Sequence, residues 1–344
     1  MNQCYLSDYQ NSRSQNLNFI KFIAALAVIV SHSYPLSQGA NCKDFLLKIS
    51  NQTLGLGGVA VAVFFISSGF FVTKSIEKSK GNHYIGNRIK RIFPPLWFVL
   101  ILTILICSLF FTSCRLKEFF LSKDFLVYCL NFLLIPIHNL PGVFSNNIFP
   151  GAINGALWTL PIEFFCYIVL YVLYKLNLVN KKFYKMSLIP VLLLFIVVYY
   201  INIPVILLVR GYFAPLFMFY LGSFFWVFKD RIRMDLKLFV ICLVLFVISI
   251  FAKQGHLGLL LFFPYIVLFS SFGLKQIDTN VANLGNYSYG IYLCGWPIQQ
   301  MVVSLFGGNM SVLMNIFICL PLAIIMGYFT YNIIERKNLK ENLK

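Results

Sequence analysis

Leu17-Asn-Phe-Ile-Lys21-Phe-Ile-Ala-Ala-Leu-Ala-Val-Ile-Val-Ser-His32-Ser-Tyr-Pro35-Leu36 is an apolar run interrupted by a cation and an imidazole. Its length suits a helix crossing about 30 Å of hydrocarbon, for which roughly 20 residues are needed. Eleven residues separate Lys21 from His32, close to three full turns. Both side chains therefore share one helix face, roughly 16 Å apart along the axis. An ionisable group within a span costs on the order of 2.5 to 3.5 kcal/mol on insertion scales, which marks both residues as functional candidates. The alternative is that each only reaches toward its nearer interface.

Working outward, the rest of the chain repeats this composition. Of 344 residues, 59% are hydrophobic and 11% charged, a balance that excludes a soluble domain of this size. Apolar runs occur near 17–36, 54–76, 92–113, 154–176, 186–202, 211–228, 237–252, 256–273, 283–305 and 310–334. The expected fold is an all-α integral membrane bundle of about ten transmembrane helices, one domain over residues 1–344. A stretch at 125–137 is too short to cross and ends at Pro136, so it reads as a partial or re-entrant segment.

The formal charge of +17 does not indicate nucleic acid, because the basic residues cluster between apolar runs. With a cytoplasmic N-terminus and ten spans, the inward segments hold 21 Lys and Arg and the outward loops seven, which predicts both termini in the cytoplasm. The first run imitates a secretory signal, with small residues ending at Gly39 and Ala40. The polar leader before it and Pro35 near its end favour a retained span. The nine cysteines show no metal-ligand spacing. Cys42 and Cys114 both fall in outward loops, and the sequence leaves their pairing undecided.

Four further stretches carry chemistry. Glu163, in Gly155-Ala-Leu-Trp158-Thr-Leu-Pro-Ile-Glu163-Phe-Phe-Cys-Tyr167, is the one acidic residue inside a predicted span and falls at a depth comparable to His32. A carboxylate and an imidazole at matching depth suit a general base and its orienting partner, or else an ion pair that fixes packing. In Phe64-Phe-Ile-Ser67-Ser68-Gly69-Phe, a small polar break among aromatics suits either close helix packing or a thin acyl chain. Arg88 and Arg91, in Arg88-Ile-Lys-Arg91-Ile-Phe-Pro94-Pro, lie three apart, spaced to grip phosphate or to signal topology. Tyr287, Tyr289 and Tyr292, in Leu284-Gly-Asn-Tyr287-Ser-Tyr289-Gly-Ile-Tyr292-Leu-Cys-Gly295-Trp-Pro297, offer hydroxyls to line a polar passage or an interfacial belt.

Taken in order, these motifs resemble the acyltransferase 3 family of bacterial membrane O-acyltransferases, over about residues 17–335. The resemblance implies a multi-pass enzyme of the bacterial inner membrane. It would transfer acetyl from cytoplasmic acetyl-CoA, a co-substrate rather than a bound cofactor, to a hydroxyl of a surface glycan or lipid-linked oligosaccharide. It assigns His32 to catalysis, and Lys21, Ser68, Gly69, Arg88 and Arg91 to the donor. On the residues themselves, Glu163 is expected to orient His32 or compensate its charge, and Trp158, Tyr287, Tyr289 and Tyr292 are expected on the acceptor side, with no metal. Lys21 stands where relatives usually carry Arg, and Gly295 where many carry His. A transporter or flippase for a glycolipid or anionic substrate is the competing class, though no internal repeat supports it.

Overall fold

The computed structural model describes residues 4–12, 14–201 and 203–336. Arg13 and the tail lysines Lys337, Lys340 and Lys344, which enter the charge bias, lie outside the described residues. All ten apolar runs are helical: α1 (Gln15–Gln38), α2 (Leu56–Ser79), α3 (Tyr84–Phe110), α4 (Thr159–Lys175), α5 (Lys181–Tyr200), α6 (Pro204–Val227), α7 (Leu236–Phe251), the pair α8 (Gly255–Leu261) and α9 (Phe263–Phe272), α10 (Ser288–Leu305) and α11 (Val312–Thr330). Among the described residues, six helical stretches are long and apolar enough to cross a bilayer, and α8 with α9 makes a seventh if the pair is one span. The protein is thus a multi-pass membrane protein.

The ends of these helices follow from local chemistry. Asn180, Asp235 and Ser311 cap α5, α7 and α11 by accepting from the amides of Phe183, Lys237 and Met314 at 2.9, 2.7 and 3.2 Å. Pro204 opens α6, where its missing N–H is no loss. Between α8 and α9 the axis bends by 47°. Pro264 lacks the amide that would continue the ladder there, and its ring crowds the preceding turn.

Contacts group the chain into two compact units, each drawing on three stretches of sequence. The first comprises Met1–Ala24, Phe45–Gly86 and Ile162–Gly285. Its centre is the crossing of α2 with α6. A Cβ on Gly69 would collide with the carbonyl oxygen of Phe219, and one on Gly222 with that of Ile66, so two glycines let these backbones touch. Beside the crossing, Ser223 Oγ links Thr73 Oγ1 at 2.7 Å to Tyr184 OH at 2.5 Å. Buried Asn16 ties the start of α1 to the end of α9, donating to the carbonyls of Ser270 and Lys275, both at 3.1 Å.

The second unit comprises Ala25–Asp44, Asn87–Pro161 and Asn286–Lys344. Its α10 and α11 cross at Gly290 and Gly327, where an added Cβ on Gly290 would stand 2.9 Å from Gly327 Cα. The connection after α3 holds two short helices, Leu116–Leu121 and Lys123–Tyr128, and two 3₁₀ turns, Cys129–Leu133 and Gly155–Trp158. No span forms at 125–137. Phe119, Tyr128 and Phe144 are buried, so the connection packs on α3 and α10 through its own apolar core.

Candidate active site

His32 lies in the second unit, one turn before Leu36 on α1. Its ring meets the edge of Trp296, centroids 4.7 Å apart at an interplanar angle of 69°. Such contacts contribute about 0.5 to 1.5 kcal/mol beyond burial and fix ring orientation. Trp296 is itself held: its Nε1 donates to the Ala152 carbonyl at 2.8 Å, and Gly155 leaves room for its ring. Three residues on, Gln299 is fully buried. Its Nε2 faces the Ile29 carbonyl at 2.9 Å, Ser33 Oγ at 2.8 Å and Asn315 Oδ1 at 2.9 Å. Gln299 thereby clamps the turn of α1 that carries His32, and Trp296 supports the ring from the same face of α10.

Among the described residues, neither ring nitrogen of His32 has a hydrogen-bond partner. A half-buried imidazole positioned through its ring, with both nitrogens left over, is suited to receive or deliver a proton. The residue before it, Ser31, donates to the carboxylate of Asp44 at 2.8 Å, and Asp44 is 1% exposed. This buried carboxylate lies in the connection between α1 and α2, outside every predicted span.

The two motifs at 155–167 and 284–297 share one piece of structure. Asn154 Nδ2 donates to the Leu293 carbonyl at 2.9 Å while its Oδ1 accepts from Ala156 N at 3.1 Å. Tyr292 OH lies 2.6 Å from Thr159 Oγ1 and 2.8 Å from the Ala156 carbonyl. The 3₁₀ turn Gly155–Trp158 is therefore stapled to α10, and Tyr292 has its hydroxyl committed to that staple. Tyr289 OH bonds the Ile92 carbonyl at 3.0 Å. Tyr287 packs its ring against Tyr328 and Tyr331, 5.4 and 5.7 Å between centroids. Trp158 is half-buried at the end of the turn.

Glu163 lies in the first unit. One carboxylate oxygen accepts from Tyr167 OH, one helical turn on, and from Ser68 Oγ at 3.4 Å; Ser68 Oγ and Tyr167 OH are 2.9 Å apart. Tyr167 is 1% exposed, so this is a buried wall behind a half-buried carboxylate. The small break in α2 divides by helical phase. Ser67 bonds back to the Val63 carbonyl, Ser68 turns to Glu163, and Gly69 is filled by α6.

The other candidates sit at defined depths on their helices. Lys21 is half-buried in the part of α1 that belongs to the first unit. Arg88, half-buried, and Arg91, exposed, lie in the first two turns of α3, before Pro94 and Pro95. Gly295, where the resemblance would place a histidine, packs against Ile29, whose Cγ1 stands 2.9 Å from the position of an added Cβ. Cys42 and Cys114 are free thiols, and no cluster of metal-binding side chains occurs among the described residues. Trp296, Gln299, Asn315 and Tyr167 were missed in the sequence. The available signals were two adjacent amides, Gln299-Gln300, inside an apolar run, and a hydroxyl four residues from a lone carboxylate.

The fold defines a multi-pass, all-helical membrane protein with polar clusters among its helices. The chain belongs to the acyltransferase 3 family, whose acyltransferase domain matches residues 14–332. It is similar to a protein of Shigella phage Sf6 described as an O-acetyl transferase, 26% identical over 343 residues, covering 95% of this chain and 96% of that protein. No solved structure matches.

Proposed function

We propose that the protein transfers an acetyl group from cytoplasmic acetyl-CoA to a hydroxyl of a bacterial surface glycan, from a ten-span bundle in the inner membrane with both termini in the cytoplasm. The observation that carries this reading is the His32 ring, oriented by Trp296 and a clamped helix turn with its nitrogens unengaged, in a chain of an acyltransferase family. The phage relative's description as an O-acetyl transferase supports acetyl as the group moved.

His32 takes the proton from the acceptor hydroxyl as its oxygen attacks the thioester carbonyl. The carbon–sulfur bond breaks, and the CoA thiolate leaves and recovers the proton. The same base would serve a transfer through an acyl-enzyme. Glu163, oriented by Tyr167 and Ser68, supplies the second ionisable group, and Ser68 is assigned to the donor. Arg88 and Arg91 suit the donor's phosphates because guanidinium forks match phosphate oxygens. Lys21 keeps a cation in α1 but offers a point charge in place of a fork.

Mass spectrometry of surface glycans from cells with and without the gene tests this reading. Acetyl increments present only with the gene are expected. Identical glycans, with the protein present in the membrane, would contradict it.

A further inference from the structure

A second polar cluster lies in the first unit, at the end of α5 away from Lys181 and Lys182. Arg210, in the second turn of α6, donates from Nε to the Val198 carbonyl at 2.8 Å, in the last turn of α5. Its guanidinium carbon stands 5.8 Å over the Tyr199 ring, and that ring lies 4.3 Å from the ring of His256. The bond to Val198 explains part of this arrangement, since a cation at a helix C-terminus satisfies a leftover carbonyl and complements the dipole. It uses one of five guanidinium donors. Nη2 is buried with no hydrogen-bond partner among the described residues, an expensive state for a cation in an apolar span.

Beside this cluster is an apolar cavity of about 360 Å³, within the usual range for ligand pockets. Phe195, Ile196 and Leu192 of α5 form one wall and Leu257 and Leu260 of α8 another. One ring links cavity and cation: Phe195, in the cavity wall, has its ring 4.8 Å from that of Tyr199, over which Arg210 stands. Tyr200 OH donates to Gln254 Oε1 at 2.6 Å, and both residues line the cavity. An apolar cavity with an under-used guanidinium beyond the Phe195–Tyr199 ring pair is complementary to one molecule type, an amphiphile with a negative head.

We propose that this is a binding site for an anionic phospholipid, one acyl chain in the cavity and the phosphodiester on Arg210. Net charge on the head decides the choice, because a zwitterionic lipid presents its own cation to Arg210. The acyl-transfer residues take no part, so the site stands or falls apart from the proposed reaction.

Native mass spectrometry of the full chain, titrated separately with phosphatidylglycerol and phosphatidylcholine, gives the test. Phosphatidylglycerol should bind at least about tenfold more tightly, the worth of one charge-assisted contact. Arg210→Gln should erase that preference, Arg210→Lys should keep part of it, and Leu257→Trp, which fills the cavity, should weaken both lipids. Inorganic phosphate should not displace bound phosphatidylglycerol, because the chain supplies part of the affinity. Equal binding of the two lipids by the unaltered chain, or a preference that survives Arg210→Gln, would overturn the proposal. Should Arg210→Gln fail to accumulate, unchanged lipid binding by Leu257→Trp would overturn it instead.

Discussion

The His32 ring gains its orientation from residues that carry no charge. Trp296 sets its plane, and Gln299 fixes the backbone turn beneath it through Ile29, Ser33 and Asn315. Replacing Gln299 with Leu keeps the volume and leaves Asn315 Oδ1 buried without its donor, at about 1 to 3 kcal/mol. A lower unfolding midpoint is expected, together with a fall in kcat at unchanged KM for acetyl-CoA. Gln299→Glu, which retains an acceptor but not the donor, should resemble Leu in kcat. An unchanged kcat in both variants would reduce Gln299 to a packing residue. His32 and Glu163 stand out in the sequence because ionisable groups are rare in spans. Gln299 and Trp296 were not, since an amide or an indole in an apolar run has many bland explanations and only the fold shows which turn it supports.

At the scale of elements, the ten apolar runs announced their helices, while the way the helices meet did not follow from hydropathy. The Ser67-Ser68-Gly69 break left close packing and a thin ligand both open. In the fold the 100° step between neighbours separates the two, sending Gly69 into the α2–α6 crossing and Ser68 toward Glu163. Gly222→Ala should force these backbones apart at a cost of about 1 to 3 kcal/mol. Gly211→Ala in the same helix meets nothing within 4 Å and should be neutral or stabilising by up to about 1 kcal/mol. Thermal unfolding in detergent checks the pair, and equal midpoints would contradict the crossing. The bend between α8 and α9 is likewise a local event at Pro264 that periodicity over a whole run averages away.

For the whole molecule, the charge bias predicts where each connection lies. Reporter fusions after Lys80, Lys182 and Arg233 should report cytoplasm, and fusions near Gln38 and Asn146 the outer side; a cytoplasmic signal near Asn146 would break the ten-span alternation. The grouping into two units was not readable from sequence, because α1, α3 and α4 run unbroken across the division and no linker marks it.

The central claim is that His32 is the proton acceptor of an acetyl transfer. Purified protein in proteoliposomes, supplied with labelled acetyl-CoA and an acceptor oligosaccharide, measures it directly. The unaltered chain should acetylate the glycan, while His32→Ala and His32→Gln should accumulate normally and lose at least about a hundredfold in rate, the usual worth of a positioned base. Acetylation at the unaltered rate by either variant would contradict the assignment, and movement of the glycan across the bilayer without acetyl transfer by the unaltered chain would contradict the enzyme itself.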